Sequence, residues 1–214
     1  MSIQLVIDTC QGIEIDRRKI VGQSMSRSQR VKSAERASAT PWRFKVTPAG
    51  YFKYTTARSM LESINTTDKV VESEIKLSNN DKTAYLTEYQ GELTQENLDA
   101  IQIVSFTGTT MVLGNLSVET PETVLFRPGD YIQPINSRYP YTVVNTVLRG
   151  STSTVQVTTH RSVITSETVD LTDNIKVGKN VTWRVLVAGL PTHQLISHNL
   201  VQFTGDFELI EKII

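Results

Sequence analysis

The chain has 214 residues, 39% of them hydrophobic, with a single cysteine and 22 acidic residues balancing 22 basic ones. That length and apolar content support a packed core of one large domain or two small ones and exclude disorder throughout. A lone Cys10 excludes an intrachain disulfide and a cysteine zinc cluster, zero net charge argues against a dedicated binder of phosphate backbones, and no apolar run approaches the roughly 20 residues that span a bilayer. The opening MSIQLVIDTCQG lacks the basic and apolar regions of a secretory leader, so synthesis in the cytosol is expected.

Ile3, Leu5 and Ile7 alternate with Gln4, Val6 and Asp8. This alternation predicts a strand, with Gly12 to Asp16 returning as its hairpin partner. From Arg17 to Lys45 the chain then carries nine basic residues against the single acid Glu35, a net charge of +8. The remainder is as acidic as this arm is basic, which fits an arm laid on the acidic surface of a neighbouring copy. Residues 22–40 hold few large apolar groups and cannot offset their own ordering entropy, so they are expected to be disordered alone or extended against a partner.

Pro41 to Val46 alternates apolar with basic residues, and Trp42 and Phe44 are expected to anchor the end of the arm in the core. Met60, Leu61 and Ile64 stand at helical spacing, with Ser59 and Glu62 placed as a capping box, and predict a short helix over 55–64. Residues 93–101 predict a further turn of helix or a loop between strands. From Ile103 onward, β-branched and aromatic runs alternate with turn residues, which predicts an antiparallel sandwich or barrel. Pro128, Gly129 and Asp130 form a structural turn joining two extended pieces, and Leu148 to Ser151 is suited to closing a hairpin. Val201, Phe203, Phe207 and Leu209 share one face of the last strand, with Gly205 marking a bulge or close approach.

The fold class read from these patterns is mainly β: an antiparallel β-barrel or sandwich with an extended basic N-terminal arm and one or two short helices. Residues 1–45 form the hairpin and arm, and 46–214 form the barrel or sandwich domain with a short helical insertion.

No motif nominates an active site. His160, His193 and His198 fit no zinc spacing, and Glu72 with Glu74, like Asp206 with Glu208, has the pattern of a solvated sheet face. There is no phosphate-binding or dinucleotide glycine motif and no cysteine beside a base, so no catalytic residue, metal ligand or cofactor is expected. The arm has two readings. As an assembly arm it orders across a neighbouring subunit, with Arg27, Arg30, Lys32, Arg36 and Trp42 as interface residues making charge-assisted bonds and anchoring contacts. As a nucleic-acid tail it sets Arg17, Arg18, Arg27, Arg30, Lys32 and Arg36 on phosphates, and the whole chain then reads as an OB-like barrel that binds single strands, with Tyr131, Tyr139 and Tyr141 as stacking platforms.

The run Val124-Leu125-Phe126-Arg127-Pro128-Gly129-Asp130-Tyr131-Ile132-Gln133, followed by Tyr139 to Val144 and Thr154 to Arg161, resembles a recurring arrangement in bacteriophage tail proteins. Arg27-Ser28-Gln29-Arg30 leading to Pro41-Trp42-Arg43-Phe44 is similar to the polar lead into a tryptophan-containing strand in such proteins. On these residues the chain, from about Ser24 to Leu209, resembles the distal-tail and baseplate-hub family. The resemblance implies a virion structural protein with no catalytic residues: a homo-oligomeric, six-fold ring between tail tube and baseplate, with a lumen for passing DNA that it does not specifically bind. The partners implied are other tail tube and baseplate proteins, without a membrane. A tail tube or tube-initiator protein would share the barrel and the docking arm.

Overall fold

Ile3, Val6, Ile7 and Cys10 are all buried and stand at helical spacing, and they wind the chain start into α1 (Gln4–Thr9) rather than the expected strand. The alternation of Ile3, Leu5 and Ile7 is real, but Leu5 is only partly buried while Val6 is fully buried, so the helical period decides. Asn80 donates its side-chain amide to the Ile7 and Cys10 carbonyls, satisfying groups that a helix end leaves free. The computed structural model describes residues 3–17, 21–25, 31–35, 40–65, 72–116, 122–165 and 173–213.

Three segments follow in the first lobe: β1 (Gly12–Asp16), then β2 (Val21–Met25) and β3 (Val31–Glu35) within the arm. β4 (Arg43–Thr47) alternates exposed and buried positions, as its sequence predicts, and pairs with β1, which replaces the expected hairpin with residues 3–7. The 45/46 boundary read from the sequence therefore falls inside a strand of the main sheet. β5 (Phe52–Lys53) leads into α2 (Tyr54–Asn65), which buries Ala57, Met60 and Leu61 on one face. The N-terminus of α2 is capped from outside: the Asn199 carbonyl accepts from the Tyr54 amide and the Asn199 side chain from the Thr55 amide. The Ser59 and Glu62 pair lies inside the helix, so it is no cap. β6 (Glu72–Ile75) closes this part.

The chain then crosses by 3-10 turns at Leu77–Asn79 and Ala84–Thr87 into a second lobe. This lobe holds α3 (Gln95–Ala100), β7 (Gln102–Thr107), β8 (Thr110–Gly114), β9 (Val124–Phe126), β10 (Tyr131–Pro134), β11 (Tyr141–Thr142), β12 (Val147–Leu148), β13 (Val155–Thr158) and β14 (Ile175–Val177). Thr94 caps α3 by accepting from the Asn97 amide. The chain returns to the first lobe through β15 (Trp183–Gly189), β16 (Thr192–Ser197), β17 (Leu200–Thr204) and β18 (Phe207–Glu211). The expected single last strand is thus two, broken at Gly205, whose φ of +108° only glycine adopts without strain.

Every strand pair is antiparallel. The first lobe is built on a five-stranded sheet in the order β1-β4-β18-β15-β6, with β16-β17-β5 as a smaller sheet beside it. The second lobe uses β13-β8-β7, β11-β10-β14 and β12-β9. The result is mainly β and sandwich-like, and no closed barrel forms among the described residues. Each lobe has its own apolar core: one centred on Trp42, Phe44, Trp183 and Phe207, the other on Phe126, Ile132, Tyr139 and Tyr141. Among the described residues no helix is long and apolar enough to cross a membrane.

Candidate assembly interface

The basic arm leaves the main sheet between Asp16 and Arg43, the last paired residues of β1 and β4. Its root is held on two sides. The Arg17 guanidinium lies 5.2 Å over the Trp42 ring and donates to the Thr142 hydroxyl of the second lobe. Beyond this root, β2 and β3 pair from Val21 opposite Glu35 to Met25 opposite Val31. The extended or disordered arm expected from composition is therefore a hairpin, because pairing satisfies the backbone groups without a large apolar core. It forms a two-stranded sheet of its own, with no third strand among the described residues. Such a hairpin is marginal in water unless something covers it.

Of the interface residues named from sequence, Arg27, Arg30 and Arg36 lie outside the described residues, and Lys32 stands in β3 opposite Ser24. Trp42 is a correction. It is only 1% exposed, at the centre of a cluster with Phe44, Tyr131, His160 and Trp183, their ring centroids 5.5 to 6.4 Å away. A ring so covered offers no surface to a neighbour and serves as the arm's anchor in the core.

Sequence reasoning missed the joint between the lobes. Arg161, after β13, reaches Glu211 on β18 with both terminal guanidinium nitrogens, each 2.7 Å from a carboxylate oxygen. The same guanidinium donates to the Pro140 carbonyl and lies over the Tyr141 ring, and Glu211 also accepts from the Trp42 amide. Gln133 adds a second tie by exchanging side-chain hydrogen bonds with the Thr182 backbone amide and carbonyl. The arm's root, Trp42 and the joint form one connected cluster.

An acidic stretch is exposed elsewhere on the chain. In the crossing segment and α3, Asp81, Glu88, Glu92, Glu96 and Asp99 are all exposed, with Lys82 the only basic residue from 81 to 99. Glu88 pairs with Lys179 at 3.4 Å and Glu92 with Arg127 at 3.9 Å, so two of the five acids already have a cation beside them, in exposed pairs that hold little energy. This segment starts just after Ile75, which pairs with Trp183 at the end of the sheet from which the arm departs. The outer face of the same sheet is mixed instead, with Glu14, Lys45 and Glu208 in one cross-strand row. There the Thr47 hydroxyl and the Lys45 ammonium hold the Asp206 carboxyl below its ordinary pKa.

Pro128, Gly129 and Asp130 turn the chain between β9 and β10. Gly129 has φ +101°, and the buried Asp130 carboxylate accepts from the Arg127 and Gln90 amides. Burial pushes the Asp130 carboxyl above its usual range, against the pull of those amides. The carboxylate thus ties the corner to the crossing segment.

The nucleic-acid reading loses its platforms, since Tyr131, Tyr139 and Tyr141 are 9%, 1% and 1% exposed and show no ring face to a base. The His160 Nδ1 accepts from the Thr142 amide, while His193 packs near Phe203. Among the described residues no group of three or more His, Cys, Asp or Glu is placed to hold a metal. A cleft of about 480 Å³ between β6 and the β10–β14 pair has walls of mixed charge, with Glu72 held by Arg184 and Lys212. No protein-family model matches the chain, and no curated protein matches it.

Proposed function

We propose that this chain is a structural protein that works by assembling with its own copies, and that the assembly is a ring in a phage tail between tube and baseplate. The observation that carries the assembly reading is the basic hairpin, a two-stranded sheet with no third strand among the described residues, on a chain that also presents five exposed acids within residues 81–99. The arm's root and the start of that acidic segment share one end of the main sheet, which suits copies set side by side. A ring needs such a heterologous contact, one patch of each copy meeting a different patch of the next. The tail placement rests on the likeness of the Val124 to Gln133 corner, the Tyr139 to Val144 and Thr154 to Arg161 runs, and the lead into Trp42.

Mechanically, the ring would set the diameter and symmetry of a tube and pass load through its subunits. The Arg161–Glu211 joint suits that task, because it binds the sheet that roots the arm to the lobe that carries most of the acidic segment. The test is reversal of Arg27 and Arg30 to Glu: light scattering is expected to show loss of rings while circular dichroism keeps the native spectrum. Rings of unchanged mass would refute the arm's role.

A further inference from the structure

The strand β16 is an edge of a kind that natural sheets avoid. It ends the β16-β17-β5 sheet, and Thr192, His193, Gln194, Leu195 and Ile196 are all exposed, so both of its faces meet solvent. Leu195 is 63% and Ile196 47% exposed, beside an open groove lined also by Tyr54 and His198. Among the described residues its backbone bonds only to β17. Edge strands are ordinarily guarded by a charge or a proline, and Thr192 to Ser197 contains neither.

We infer that β16 is a self-pairing edge, which joins two copies of this chain about a two-fold axis into one continuous sheet. Antiparallel self-pairing about a two-fold axis sets the central residues of the strand beside their own copies, so it tolerates no like charge there. β1 carries Glu14 and Asp16, and β6 carries Glu72 and Glu74, so those edges of the main sheet repel themselves. β7 is also uncharged, but its start is covered by pairing of Gln102 with Asn174 and of the Ile103 amide with Asp173. Among the described residues β16 has no such cover. Its register shift between Leu195 and Ser197 confines regular pairing to Thr192 to Leu195, so the contact is short and concentration-dependent, with Leu195 and Ile196 supplying the apolar burial.

This surface is separate from the arm. β15 and β18 hand over to β16 and β17 past Gly189 and Glu208, at the end of the main sheet opposite the arm's root. The two contacts also respond oppositely to salt: charge attraction between an arm and an acidic segment is screened, and apolar edge pairing is not.

Sedimentation velocity of the full chain in high salt, at the highest soluble concentration, tests the inference. The wild type is expected to show a species of twice the 24.0 kDa chain mass. Leu195→Lys is expected to sediment as a monomer with an unchanged unfolding midpoint, and Leu195→Met to keep the doubled mass. The unchanged midpoint excludes misfolding as the cause of the loss. A monomeric wild type in high salt, a Leu195→Lys variant that dimerises as the wild type does, or a monomeric Leu195→Met variant would each overturn the self-pairing. Loss of rings on reversal of Arg27 and Arg30 is read separately at low salt, so failure of the arm reading leaves this result intact.

Discussion

Arg161 and Glu211 form a buried, two-pronged ion pair whose partners come from different lobes, and Glu211 also receives the amide of Trp42, the residue on which the basic arm is rooted. Three parts of the molecule meet at one carboxylate. Removing one partner of such a pair leaves an uncompensated buried charge, which costs about 3–5 kcal/mol. Arg161→Met is therefore expected to lower the urea midpoint sharply. The double variant Arg161→Met with Glu211→Gln should recover much of that loss, because the Gln oxygen still accepts from Trp42 while the orphan charge is gone. A double-mutant cycle with no coupling would show that the lobes are held by other contacts.

Two carboxyls give opposite pH signatures. The Asp206 carboxyl is held below its ordinary value of 3.8, chiefly by the Thr47 hydroxyl, so its stabilisation is present above that value and is lost as pH falls through its lowered folded pKa. The Asp130 carboxyl is raised above 3.8 by burial, so its proton-linked stabilisation is present below that value and is lost as pH rises through the higher folded pKa. Asp206→Asn is expected to flatten the acid-side decline in unfolding free energy. Asp130→Asn should flatten the loss just above pH 3.8 and weaken the corner by one amide bond. Denaturation midpoints measured across the acid range check both signs.

Asn199 caps α2 while holding φ at +62°, so its side chain and its backbone do separate work. Asn199→Ala loses the cap and strains the left-handed backbone, and is expected to cost about 1–2 kcal/mol. Asn199→Gly loses the cap alone and should cost less. Equal costs in chemical denaturation would mean that the backbone conformation is not maintained.

Gly178 joins the returning chain to the crossing segment at close quarters. A β-carbon there would stand 2.9 Å from the Thr87 carbonyl oxygen at φ +57°, whereas one at Gly50 would meet nothing within 4 Å. Gly178→Ala is expected to lower the thermal midpoint markedly, and Gly50→Ala to leave it nearly unchanged. The comparison separates the close approach and the left-handed backbone together from the general effect of replacing glycine.

The parts of this fold legible in the sequence are those governed by local period. β4 keeps its alternation, α2 keeps its apolar face, and Val201, Phe203, Phe207 and Leu209 are buried as their spacing indicates. Where two periods compete, as at Ile3 to Cys10, the winner depends on what the far side of the segment meets, and here Val6 and Cys10 meet the core. The short strands β5 and β14, and β16, carry too little pattern to be read. The joint was hidden for another reason: Arg161 and Glu211 are 50 residues apart, and neither has a local signature of burial. Trp42 was legible as an anchor and misread as an interface, because composition marks a large aromatic without saying which side of it is covered. The arm's charge was plain, but pairing of β2 with β3 rests on a run with few apolar residues to announce it.

The most direct measurement is the mass of the full chain by light scattering at low salt, beside a variant whose residues 18–39 are replaced by a glycine-serine linker of equal length, with negative-stain images of both. Rings are expected for the full chain, and the variant is expected to keep its fold and form none. A variant that still forms rings, or a full chain that stays below ring size at every concentration, would contradict assembly through the arm.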